Sequence, residues 1–99
     1  MHTTIAIRFA GAATALAAGF AASAQEGKQL YEQKCAMCHA TGVAGAPRPG
    51  NAADWAPRLK AGKAAVYRNA VQGTARGMPP KGGNADLAES AVRAAVDYM

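Results

Sequence analysis

Cysteine, histidine and tryptophan are scarce in this chain: two Cys, two His and one Trp among 99 residues. Two thiols cannot build a multi-bridge framework, and Cys35 and Cys38 sit too close together to close a useful loop. Two Cys and two His are too few for a protein zinc site when His2 lies in a segment expected to be removed. No stretch shows the alternation of a β-strand, so a thioredoxin-like pair lacks its βαβ setting. There is no internal repeat and no long linker. Aromatic residues make up 6% and form no platform with the basic ones, which argues against nucleic acid as a partner.

Charge is nearly missing from the start. Arg8 is the only charged side chain in residues 1–24, Phe9 to Phe20 is apolar and Ala-rich, and Ala22-Ser23-Ala24 is a small-x-small site. This reads as a secretory signal peptide, cleaved after Ala24, and hence as a periplasmic protein. The run is too short to span a bilayer comfortably; an uncleaved anchor is the alternative. Residues 25–99 then form a single domain, too small for a large core and expected to be completed by a metal or cofactor.

Against this background the run Cys35-Ala36-Met37-Cys38-His39 stands out. Two thiols three positions apart share one side of a helical turn, with an imidazole directly behind. That spacing is the signature of covalent haem attachment, with the thiols on the two vinyl groups and His39 on the iron. A thiol-redox pair remains the bland alternative.

The net charge of +5 becomes +4 without Arg8. Residues 48–81 hold Arg48, Arg58, Lys60, Lys63, Arg68, Arg76 and Lys81 against Asp54 alone, while residues 25–47 balance and residues 82–99 are acidic. Single charges are ordinary solvated surface, but the basic block is a candidate docking face for an acidic partner.

Residues 26–38 read as a helix with Gly27, Tyr31 and Cys35 on one face. Gly27 costs helix propensity, which a close helix crossing would explain, and Tyr31 reads as core. Residues 40–53 are a Gly- and Pro-rich loop. Asp54 is expected to cap a short helix from Trp55 to about Ala61, with Pro57 in its first turn and Gly62 ending it. Lys63 to Val71 reads as a helix with Val66 and Tyr67 inward and Arg68 outward. Gln72 to Gly83 is a second loop. Asp86-Leu87-Ala88-Glu89 resembles a capping box opening a last helix, whose apolar face is Leu87, Val92, Ala95, Val96 and Met99, with Tyr98 beside it. The fold is all-α, with helices at both ends and short helices and loops around one cofactor.

A haem also needs a second face. His39 is the only His after residue 24, Met37 lies inside the attachment turn, and Met99 ends the last helix. Met78, in Gly77-Met78-Pro79-Pro80, lies off any helical stripe in a loop that two prolines stiffen. Core filling is the usual role of a Met, but elimination points to Met78 as the second axial ligand. A thioether raises the reduction potential, and iron ligated on both faces by protein leaves no place for a small-molecule substrate. This argues for an electron-transfer protein and against an enzyme.

The chain resembles the class I c-type cytochromes, and within them the small bacterial cytochrome c₅ group, over residues 25–99. The resemblance rests on Gly27, Tyr31, Cys35 to Pro47, Trp55-Ala56-Pro57-Arg58, Tyr67, Gly77-Met78-Pro79, Lys81 to Leu87 and Ala94 to Met99. It implies haem c on Cys35 and Cys38, with His39 and Met78 axial. It implies that the first and last helices cross, with Gly27 near Tyr98, and that the Pro47 carbonyl meets the far nitrogen of His39. Trp55, Arg58 and Tyr67 are candidates for packing the ring or bonding a propionate, or for plain structural roles. Unlike some members of the group, the chain has no further Cys pair. The implied function is a monohaem, periplasmic electron carrier whose partners are redox proteins with acidic docking faces, such as a membrane cytochrome complex or a terminal oxidase. A haem enzyme or gas sensor with an open site, and a haem-free metal or thiol-redox module, are the competing classes.

Overall fold

The computed structural model describes residues 23–99, so the expected signal segment lies, apart from its last two residues, outside the described residues. The described residues are all helix and loop, without strands. The first helix, α1, runs over residues 23–39. It is α-helical over 23–30, widens into a π-turn over Tyr31–Cys35, and returns to α over Ala36–His39. In the wide turn the Ala36 N–H donates to the Tyr31 carbonyl, five residues back instead of four. Apolar periodicity gave no sign of this turn.

The helix α2 covers Ala52–Leu59 and is capped by Asn51, whose side chain accepts from the Asp54 N–H at 3.1 Å. The expected cap, Asp54, is instead the third residue of the helix. Its carboxylate faces back to the Arg48 N–H at 3.1 Å and the Arg48 Nε at 2.8 Å. Asn51 and Asp54 are both good caps, and Asn51 wins because its backbone is still extended (φ −88°, ψ 99°). Pro57 therefore sits beyond the first turn; the helix stops at Leu59, where the Gly62 N–H closes on the Leu59 carbonyl at 2.9 Å.

Two helices carry the core: α3 over Lys63–Gln72 and α4 over Glu89–Tyr98. Val66 and Ala70 of α3 meet Val92 and Val96 of α4, flanked by Trp55, Tyr67, Val71, Met78, Leu87 and Met99. The capping box before α4 is not formed. The helix opens at Glu89 without a side-chain cap, and Asp86 is exposed in the preceding turn. That turn is already tied up: the Leu87 N–H donates to the Asn84 carbonyl, and Lys81 Nζ reaches the Leu87 carbonyl at 2.7 Å. Finally α1 crosses α4, with Gly27 buried against Ala94 and the Tyr31 ring 5.2 Å from that of Tyr98.

Candidate cofactor site

The last two turns of α1 present Cys35, Cys38 and His39. Both thiols are free, Cys35 half-buried and Cys38 exposed, and burial pushes the Cys35 thiol up. His39 is 7% exposed, and its Nδ1 lies 2.8 Å from the carbonyl oxygen of Pro47, itself buried. A carbonyl only accepts, so Nδ1 carries a proton, and in the neutral imidazole Nε2 is then the nitrogen with the free lone pair.

The segment that brings Pro47 back is a tight one. Gly42, Ala44 and Gly45 all have positive φ, and a short 3-10 turn covers Val43–Gly45. Arg58 of α2 pins this segment: one guanidinium nitrogen donates to the Gly45 carbonyl at 3.0 Å, another to the Asp54 carbonyl at 2.7 Å. Trp55 Nε1 donates to the Arg48 carbonyl at 2.9 Å. The Arg48 guanidinium beside Asp54 holds that carboxyl below the usual range. Gly45, Arg48, Asp54 and Arg58 line a polar cleft of about 200 Å³ together with Thr41, Gly42 and Ala46.

Met78 approaches from the loop after α3. It is half-buried and packs on the Val66, Ala70, Val92 and Val96 cluster. Its carbonyl accepts from the Thr74 N–H at 2.9 Å, and its own N–H donates to Thr74 Oγ1 at 3.3 Å. Met37 is 89% exposed, and Met99 is half-buried at the end of the core.

Trp55 links the two halves, since its indole N–H bonds the Arg48 carbonyl while its ring packs on the cluster that Met78 also touches. Tyr67 packs on the same cluster and also ties α3 to α4. Its hydroxyl donates to Asp97 of α4, and Lys63 and Arg93 flank its ring at 5.4 and 6.0 Å from the centroid. An apolar cleft of about 290 Å³ includes Trp55, Leu59, Val66 and Met99 in its lining but none of Cys35, Cys38, His39 or Met78.

Sequence reasoning did not single out Arg48 or Thr74 as site residues, and it counted Lys81 as a docking charge. Lys81 instead folds its ammonium onto the Leu87 and Ala85 carbonyls. A Thr four residues before a Met in a Gly-rich loop was the only available signal for Thr74.

Residues 22–99 match the family model described as cytochrome C oxidase, cbb3-type, subunit III. The chain is 45% identical to cytochrome c-555 of Chlorobaculum tepidum over 83 residues, 81% of this chain and 77% of that protein. It is 33% identical to cytochrome c5 of Ectopseudomonas mendocina over 85 residues, 84% of this chain and 97% of that one. Its fold is similar to a chain in the crystal structure of the electron transfer complex of nitrite reductase with cytochrome c. The TM-score is 0.67 at 44% identity, covering 75% of this chain and 89% of that chain.

Proposed function

The chain belongs to the c-type cytochromes, which bind haem c covalently, and from that premise we propose that it is a periplasmic one-electron carrier between redox proteins, not an enzyme. The observation that carries the site assignment is the hydrogen bond from His39 Nδ1 to the Pro47 carbonyl, which commits one ring nitrogen and leaves Nε2 as a donor to iron.

The donor set fits a haem. Cys35 and Cys38 are unbridged thiols on one helix end, directly before a buried imidazole, and a thioether is held in a separate loop. When bound, the haem supplies a one-electron iron couple. Cys35 and Cys38 would anchor it through thioether bonds, His39 and Met78 would ligate its iron, and Pro47 would orient the His39 ring. The soft, uncharged Met78 sulfur would favour the ferrous state. Arg58 spends only part of its guanidinium on carbonyls and could also meet a propionate. The Trp55 N–H is taken by Arg48, which leaves its ring for packing. Tyr67 is assigned to the contact between α3 and α4.

Residues 1–24 are proposed to serve export and to be cleaved, leaving 25–99 as the functional domain. The partners are proposed to be redox proteins with acidic docking faces, such as a membrane cytochrome complex or a terminal oxidase. The similarity to a chain from an electron transfer complex of nitrite reductase with cytochrome c supports a redox protein as partner.

The test is the visible spectrum of the exported protein, oxidised and then reduced with dithionite, with haem retention checked after denaturation. Sharp low-spin reduced bands, a weak far-red ferric band from sulfur ligation and haem that stays attached are expected. A high-spin protein that binds carbon monoxide when reduced would overturn the carrier reading in favour of an open-site enzyme or sensor, and the absence of any covalently retained haem would favour a haem-free module.

A further inference from the structure

Thr74 holds the backbone of Met78 from two sides. Its N–H donates to the Met78 carbonyl at 2.9 Å, and its hydroxyl accepts the Met78 N–H at 3.3 Å. Inside this ring the Gly77 N–H returns to the Thr74 carbonyl at 3.3 Å. Immediately before it, Gly73 has φ +81°, and a Cβ there would stand 2.8 Å from the Met78 carbonyl oxygen and 2.9 Å from the Pro80 nitrogen. The chain after Met78 thus doubles back over a residue that has no side chain. Pro79 and Pro80 have no N–H, so neither can tie the loop down by donating. Among the described residues Thr74 supplies the one side-chain hydrogen bond to Met78.

We propose that Thr74 is a positioning residue for Met78, which sets how firmly the thioether is presented to the iron. The proposal rests on the reading of Met78 as an axial ligand. A neutral thioether is a weak ligand whose occupancy depends on how little freedom its backbone retains. The Thr74 hydroxyl closes a short cycle with the Met78 amide, and without it that part-buried N–H loses its acceptor. The loop would then give up the sulfur more readily to a competing ligand.

The experiment compares the holoprotein with Thr74→Val, Thr74→Ser and Met78→Ala. Ferric protein is titrated with imidazole while the far-red sulfur band is followed, and reduction potentials are measured on the same samples. Thr74→Val keeps the shape and removes the hydroxyl. It is expected to bind imidazole about fivefold more tightly, the factor that one net hydrogen bond is worth, and to have a lower potential. Thr74→Ser is expected to behave like the wild type. Should Thr74→Val not assemble with haem, Thr74→Ala removes the same hydroxyl and is read in the same titration. Imidazole binding unchanged by loss of the hydroxyl, or a Ser variant that behaves like Val, overturns the role of Thr74. A Met78→Ala protein that retains the sulfur band overturns the axial reading itself, so the two failures are told apart.

Discussion

The backbone of Gly27 lies directly against the carbonyl of Ala94. A Cβ built on Gly27 would stand 2.7 Å from the Ala94 carbonyl carbon and 3.3 Å from the Ala95 nitrogen. The two terminal helices therefore meet main chain to main chain, and one turn further on Tyr31 stacks on Tyr98 with rings tilted by 43°. This contact joins the helix that carries Cys35, Cys38 and His39 to the core that Met78 packs on.

Gly27→Ala is expected to destabilise the protein, because backbone cannot move aside as a flexible side chain can. The cost of such overpacking is about 1–3 kcal/mol. It is read as a lower denaturant midpoint of the holoprotein with an unchanged m-value. An unchanged midpoint would show that the crossing relaxes freely and that the close approach carries no energy.

Arg58→Met is expected to loosen the segment that delivers the Pro47 carbonyl to His39. It removes the hydrogen bonds to the Gly45 and Asp54 carbonyls, partly exposed, for a loss of about 1 kcal/mol. Amide hydrogen exchange should rise across residues 42–48. Exchange that rises only in α2 would mean that Arg58 stabilises its own helix and not the loop.

Asp97 couples α4 to α3 through Tyr67 and Lys63. Burial pushes its carboxyl up, but hydrogen bonds from Tyr67 and Lys63 and the Lys63 charge outweigh this and hold it below the ordinary 3.8. A depressed pKa adds stability at pH values above the ordinary one and loses it as pH falls through the folded-state value. Asp97→Asn is therefore expected to lower the denaturation midpoint at neutral pH. The difference from wild type should start to shrink only as pH falls below the ordinary 3.8, vanish below the still lower folded-state value, and be smaller in high salt. A difference that stays constant with pH would assign the effect to Tyr67 packing alone.

Within the basic block the charges are not equivalent. Arg48 pairs with Asp54 and Lys63 with Asp97, while Lys81 turns inward onto carbonyls. Among the described residues Lys60, Arg68 and Arg76 have no carboxylate within salt-bridge distance. Reduced protein should react with an anionic oxidant such as ferricyanide at a rate that falls as salt rises. Neutralising Lys60, Arg68 and Arg76 together should flatten that dependence more than Lys81→Gln does. An equal effect of Lys81→Gln would place its charge at the docking face after all.

Much of the architecture was legible because local chemistry encodes it. Gly and Pro clusters marked both long loops, Lys63 opened the expected helix, and the odd glycine in the first helix announced a crossing. The errors fell where two local signals compete or where a distant group intervenes. Asn51 and Asp54 are equally good caps on paper, and only the extended backbone at Asn51 separates them. Asp86 and Glu89 have capping-box spacing, but Lys81 and Asn84 hold the preceding turn in another shape.

By itself the sequence determined which residues are the candidate donors: two thiols and an imidazole at fixed spacing, and one methionine in a stiff loop. Spacing along one helical turn depends only on helix geometry, so no tertiary knowledge was needed. The structure alone decided how those donors are held. The His39 Nδ1 proton goes to a carbonyl eight residues away, the Met78 amide goes to Thr74, and the two helices touch at Gly27 and Ala94. Hydrogen bonds and close contacts depend on ångström-scale distances between segments, and those distances exist only once the chain has folded.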